Sequence, residues 1–174
     1  MELEAKFQVS DSEPIKQSIQ RGGFEATVQK QQIDHYYIVG ETDEVGFRHY
    51  FRLREDKLTE ASSLDYHQVR SEFETEETEV SIENGEEGRE ILRRLGYNIE
   101  CVVDKQRAVY ERGDVVITID QIDSLGTFVE IEMEGTLTAE KEQRFDSIIK
   151  RFDLNRGHRV KNKGYPELII ENQN

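Results

Sequence analysis

The sequence predicts an α+β fold: about eight strands in an antiparallel sheet able to close into a barrel, with helices flanking it. Three observations lead there. Short segments alternate apolar and polar residues at period two along much of the chain. The segments after residue 100 follow one another through connections short enough for antiparallel hairpins. Three stretches with helix caps and helical apolar spacing interrupt the strands.

Residues 2–9 alternate and read as the first strand. A helix follows, with Asp11 or Ser12 as cap, Pro14 in its first turn, Ile15 and Ile19 on one face, and Gly22-Gly23 as its stop. Residues 31–39 and 46–55 are rich in aromatic and branched side chains, and Gly40 to Gly46 supplies a loop, so they read as neighbouring strands. The segment 64–82 has room for two more, although Glu72 to Glu79 is acidic for a strand. Asn84 opens the clearest helix, with Glu86 and Glu87 in its first turn, Ile91, Leu92 and Leu95 as the apolar side, and Gly96 as the stop. Residues 100–112, 114–122 and 127–134 give three strands joined at Gly113 and at Leu125-Gly126. Thr138 opens a third helix that buries Phe145, Ile148, Ile149 and Phe152, and Leu168 to Ile170 adds a short apolar piece.

The 174 residues carry 23 Lys and Arg against 37 Asp and Glu, a formal charge of −14, with 35% hydrophobic residues. That suits one domain spanning 1–174, since a chain of this size builds one sizeable core. The lone cysteine, Cys101, removes any disulfide framework and any Cys-based zinc site, which fits a reducing, cytoplasmic setting. No stretch approaches the roughly 20 apolar residues of a helical membrane span, and Met1 to Lys6 lacks the order of a signal peptide. The negative balance argues against non-specific nucleic-acid binding, which needs a basic footprint. Neither a membrane nor a nucleic acid is an expected partner.

The informative feature is the polar face of the strands. Glu2, Glu4 and Lys6 share one face and Leu3, Ala5 and Phe7 the other. Arg52 and Arg54 lie opposite Phe51 and Leu53; Lys105 and Arg107 share a face; Thr118 and Asp120 are backed by Ile117 and Ile119; Glu130 and Glu132 stand against Val129, Ile131 and Met133. A solvated strand face explains any one of these pairs, but five of them on five strands call for a common cause. With these faces inward, neither the basic nor the acidic set could be buried alone without a large desolvation cost. Together they suit an elongated polyphosphate, gripped by guanidinium and ammonium groups, with hard divalent cations bridging its oxygens to carboxylates. Carboxylate-only ligation favours Mg²⁺ or Mn²⁺ over zinc.

Several motifs follow in order: Glu2-Leu3-Glu4-Ala5-Lys6, Asp34-His35-Tyr36, Arg52-Leu53-Arg54, Leu95-Gly96-Tyr97, Lys105-Gln106-Arg107 with Tyr110, Thr118-Ile119-Asp120, Leu125 to Glu132, and Lys163-Gly164-Tyr165 before Glu167-Leu168. This series resembles the CYTH superfamily, the triphosphate tunnel metalloenzymes, which includes class IV adenylyl cyclases, thiamine triphosphatases and inorganic tripolyphosphatases. The Lys-Gln-Arg and Phe-Val-Glu-Ile-Glu stretches look most like the cyclase branch. The resemblance implies an eight-stranded antiparallel tunnel, often in a homodimer, that binds a triphosphate with Mg²⁺ or Mn²⁺. It assigns Glu2, Glu4, Asp120, Glu130 and Glu132 to the metal side, and Lys6, Arg52, Arg54, Lys105, Arg107 and Lys163 to the phosphate oxygens. Lys6, Arg107 and Asp120 would be the catalytic groups.

The expected activity is cyclisation of ATP to cyclic AMP and pyrophosphate. The rivals are hydrolysis of tripolyphosphate or thiamine triphosphate, and a non-catalytic binding module. The last gains weight from one departure: where cyclase relatives carry a tunnel lysine, this chain has His67, with Thr75 in an arginine position and Arg70 as the candidate to compensate. His35, His49, His158, Cys101 and the aromatics Tyr36, Tyr37, Phe47, Tyr50 and Phe51 are expected to serve packing or the surface.

Overall fold

The computed structural model describes residues 2–39, 49–71, 73–154, 159–161 and 163–173. The chain runs β1 (Glu2–Val9), α1 (Glu13–Arg21), β2 (Glu25–Ile38), β3 (Tyr50–Asp56), β4 (Ser62–Val69), β5 (Glu74–Ile82), α2 (Gly85–Arg94), β6 (Cys101–Arg112), β7 (Val115–Ile122), β8 (Gly126–Glu134), α3 (Ala139–Arg151), β9 (Arg159–Val160) and α4 (Tyr165–Asn172). All pairings are antiparallel, in the order β5-β4-β3-β2-β6-β7-β8-β1. The ring closes where β1 meets β5 at Glu2↔Thr75 and Leu3↔Glu74. A further bond from the Glu4 amide to the Phe73 carbonyl, 2.8 Å, extends that seam. Past it, β9 pairs with β1 at Lys6↔Val160 and Phe7↔Arg159, covering the edge that β5 leaves. The predicted eight-stranded barrel with flanking helices is the observed fold.

Capping places the helices. The Asp11 carboxylate accepts the Glu13 amide at 2.9 Å beside Pro14. Asn84 accepts the amides of Glu86 and Glu87, and Thr138 that of Lys141. At the two-residue β6–β7 connection Gly113 takes a φ of +63°, which a glycine adopts without strain.

Burial divides the apolar residues into three clusters. Outside the barrel, Leu3, Phe7, Ile117, Val129 and Ile131 pack against Ile19 of α1 and Phe145, Ile149 and Phe152 at α3. Tyr37 and Leu53 are covered by Leu92 of α2. The third cluster joins Tyr36, Tyr50, Val103, Ile122 and Phe128 to Tyr165 and Ile169 of α4. Those strand residues lie two positions from Asp34, Arg52, Lys105, Asp120 and Glu130, on the same faces as these charges. The cluster is therefore interior, with α4 packed against the charged region.

Three expectations need correction, and one falls partly outside the described residues. β2 begins at Glu25 rather than 31, because residues 25–30 pair with the far end of β6 through a bulge between Ala26 and Val28. β3 is described from Tyr50, and the proposed start at 46–48 lies outside the described residues, as do Phe47 and His158. The apolar piece at 168–170 belongs to a fourth helix, α4, with Pro166 in its first turn. Only Leu92 of the three apolar residues expected on α2 is buried; Ile91 and Leu95 are 58% and 68% exposed.

Ile131 is fully buried between the barrel wall and its covering helices. Ile131→Ala is expected to lower unfolding free energy by about 2–5 kcal/mol, measured by urea titration. The exposed Ile91→Ala change should cost well under 1 kcal/mol.

Candidate functional site: a charged tunnel

The inner faces of the strands enclose a cavity of about 380 Å³ whose wall is mostly charged. Ten of the eleven side chains selected from the sequence line it: Glu2, Glu4, Lys6, Arg52, Arg54, Lys105, Arg107, Glu130, Glu132 and Lys163. Asp120 is the exception. It lies wholly buried behind the wall, where Arg107 grips it through Nε at 2.7 Å and Nη2 at 2.5 Å, and the Tyr165 hydroxyl donates to it at 2.8 Å. Arg107 also meets Glu130. Lys163 stands at a more open position, paired with Glu171.

The interior charges answer one another across strands. Lys6 Nζ is 3.1 Å from Glu4, 3.0 Å from Glu130 and 4.4 Å from the centre of the Tyr165 ring. Burial opposes its charge, but the two carboxylates win and hold it protonated well above the usual lysine range. Arg54 makes a two-pronged bond to Asp34, 2.7 and 2.8 Å. Arg52 donates to Asp65 at 3.0 Å and Glu77 at 3.2 Å and lies 3.7 Å from Asp34. Lys105, 3.3 Å from Asp34 and 3.9 Å from Asp120, is pulled down to about 8 by burial and by Arg107, which outweigh those carboxylates.

The carboxylates fall into two groups. Asp34 and Glu130 are stabilised as anions: burial resists, but Lys105, Arg54 and Arg52 hold Asp34 well below the usual range, and Lys6 and Arg107 do so for Glu130. Glu2 and Glu132 behave oppositely. Burial, Glu77 and Glu4 raise Glu2, while burial, reinforced by Glu130, Glu4 and Glu2 against Arg107, pushes Glu132 up to about 8. The protein alone does not stabilise full ionisation of this corner. Its all-oxygen donor set fits a hard divalent cation.

Sequence reading did not assign Asp34, Asp65, Glu77, Tyr36 or Tyr165 to the site, although Tyr36 was expected to pack. Asp34 was legible as a motif and shares a face with Tyr36, yet its partners Arg54 and Lys105 come from β3 and β6, so only the register reveals it. His67 faces the cavity with Thr75, and its Nε2 is 2.9 Å from Asp65 and 3.1 Å from Glu77. Burial and Arg52 oppose its charge, but the two carboxylates prevail and raise its pKa. Arg70 is not a cavity residue; it is exposed and paired with Glu76. His35 bonds Glu55, His49 bonds Tyr66, and Cys101 is buried with its thiol pushed up to about 12.

The CYTH domain profile matches residues 1–161. The chain belongs to the CYTH family. This family's fold is the triphosphate tunnel, and its tunnel enzymes depend on a metal. Over 177 aligned residues the chain is 27% identical to "Putative adenylate cyclase MJ0240" of Methanocaldococcus jannaschii, covering 97% of this chain and 98% of that protein. The solved PH1012 protein of Pyrococcus horikoshii superposes with a TM-score of 0.88 at 26% identity, over 97% of this chain and 99% of that one. The solved HpAC1 of Hippeastrum has the same fold, with a TM-score of 0.60 at 18% identity, over 88% of this chain and 89% of that one.

Glu132 makes a pH signature for this CYTH tunnel. A carboxyl raised to about 8 in the folded state keeps its proton while the unfolded chain ionises, so it costs stability as pH climbs from about 4.5 to 8. In metal-free protein, Glu132→Gln should match wild type near pH 4 and gain stability over it progressively toward pH 8. Thermal unfolding across that range checks this, and a constant offset would contradict it.

Proposed function

We propose that this CYTH protein is a metal-dependent enzyme that holds the triphosphate of its substrate in the tunnel and cleaves it, with cyclisation of ATP as the leading reaction. The supporting observation is the pairing of two incomplete halves in one cavity: cationic groups suited to phosphate oxygens, and a carboxylate corner whose full ionisation the protein alone does not stabilise. The near full-length likeness to a relative named as an adenylate cyclase supports the choice of ATP.

Arg52, Arg54, Lys105 and Arg107 would take the phosphate oxygens, aided by Lys6 and, nearer solvent, Lys163. Glu2, Glu4 and Glu132, with Glu130 beside them, would hold Mg²⁺ or Mn²⁺, which when bound neutralises phosphate charge and polarises the leaving group. Asp120 contributes through Arg107, fixing the guanidinium at two points so that it faces the phosphorus without reorganising. In cyclisation the ribose 3′-hydroxyl attacks the α-phosphorus and pyrophosphate leaves.

Hydrolysis is the second reading, and a specific observation favours it. Among the described cavity residues, each aromatic ring has a cation against it: Lys6 and Lys105 at Tyr165, Arg52 at Tyr36, and Arg159 at Phe73, 3.9 Å from the ring centre. Each ring is thus already engaged by a cation, which disfavours stacking of a nucleobase and does not touch inorganic tripolyphosphate. The Hippeastrum protein is described as having a dominant triphosphatase activity.

Incubation with ATP and, separately, tripolyphosphate, each with Mg²⁺ and with Mn²⁺, distinguishes these outcomes by product. Cyclic AMP with pyrophosphate carries the leading reading, orthophosphate the second, and no product with either substrate contradicts both. Arg54→Ala and Arg107→Ala should each weaken tripolyphosphate binding by about 1.5–3 kcal/mol, or roughly 10- to 150-fold. The exposed Lys150→Ala should leave calorimetric affinity unchanged.

A further inference from the structure

A cluster on β4 and β5 lies outside the metal-side carboxylates. Asp65 and His67 stand two residues apart on β4, so they share a face, and Glu77 is directly opposite His67 in the β4–β5 register. One donor atom from each lies within 4.8 Å of the others. His67 Nε2 is 2.9 Å from Asp65 Oδ1 and 3.1 Å from Glu77 Oε1. Asp65 Oδ1 and His67 Nε2 are both enclosed and face each other, and the Asp65 side chain has no exposure at all. Arg52 steadies the two carboxylates, donating from Nε to Asp65 Oδ2 at 3.0 Å and from Nη2 to Glu77 Oε1 at 3.2 Å. A side chain that donates to metal-ligating carboxylates in this way orients them without occupying the site.

We propose that Asp65, His67 and Glu77 form a second divalent-metal site, distinct from Glu2, Glu4 and Glu132, that takes an imidazole-preferring transition-metal ion such as Zn²⁺. The donor chemistry separates the two sites. Oxygen ligands alone suit Mg²⁺, whereas an imidazole nitrogen beside two carboxylates suits zinc and its neighbours. Alternate positions on one strand plus a cross-strand partner converge three donors on a point, and the barrel wall holds them there. His67 and Glu77 line the tunnel cavity, so an ion at this site faces the same space as Arg52. Resting on the triphosphate reading above, it supplies there the positive charge that a lysine at position 67 would carry.

Calorimetric titration with Zn²⁺, in excess Mg²⁺ and without any phosphate, tests the site itself. Wild type should bind one equivalent. His67→Ala should weaken that binding at least tenfold, and Glu132→Gln should leave it unchanged. The zinc X-ray absorption spectrum should report one imidazole nitrogen. Asp65→Asn keeps the side-chain volume and should also weaken binding, which decides the matter if His67→Ala fails to fold. Equal uptake by wild type and both site variants would overturn the proposal, leaving His67 as the cationic partner of two carboxylates. Equal loss in Glu132→Gln and His67→Ala would overturn it too, since one shared site would then explain the binding. Tripolyphosphate affinity should rise with Zn²⁺ in wild type and be indifferent to it in His67→Lys. Zinc uptake without any tripolyphosphate binding would sink the triphosphate reading and leave the metal site standing.

Discussion

The fold depends on charge compensation across strands inside the barrel. Asp34 and Asp120, both without solvent exposure, are shared among Arg52, Arg54, Lys105 and Arg107. Each buried ion costs several kcal/mol in desolvation, and only close, directed pairing returns it. Removing Asp34 would take from Arg54 the two-pronged partner that holds it and weaken the compensation of Arg52 and Lys105. The compensation is uneven, however. It is thorough around Asp34 and Asp120 and deficient around Glu2, Glu4 and Glu132, so the tunnel is stable enough to form yet retains a demand for positive charge in one corner.

The rest of the architecture supports that arrangement. Closing eight strands removes most free edges, and β9 covers the stretch of β1 that β5 leaves. Because the interior is polar, much of the apolar stabilisation lies outside the barrel, under α1, α2 and α3. Interior apolar packing forms a cluster with α4, where Tyr165 joins the two systems: its ring meets Phe128 and two lysines while its hydroxyl reaches Asp120. Packing and electrostatics meet at that residue.

Much of this was legible in the sequence because strand periodicity is strict. Leu3, Ala5 and Phe7 against Glu2, Glu4 and Lys6 fixed which face of β1 turned inward, and the same logic placed Glu130 and Glu132, while His67 was legible only through the family resemblance. The stretch 25–30 of β2 was hidden, since Gln29 and Lys30 break the apolar alternation and the segment gains its strand character from β6. The helix α4 was hidden by its brevity, and Ile91 and Leu95 misled because apolar spacing on α2 promised a burial that the barrel does not provide. Within the site, residue types on one strand could be read, but their partners could not. Asp34 with Arg54, and His67 with Glu77, are products of register, which alternation within a single strand does not encode.

On the proposed function, the cationic wall and the acidic corner together form a receptor for a metal–triphosphate complex. Thermal unfolding with Mn²⁺ alone, tripolyphosphate alone and both together tests it most directly. A cooperative effect is expected: the pair should stabilise the protein by more than the sum of the two alone, about 2.7 kcal/mol when the complex is a hundredfold above its Kd. An unfolding curve indifferent to all three additions would contradict it.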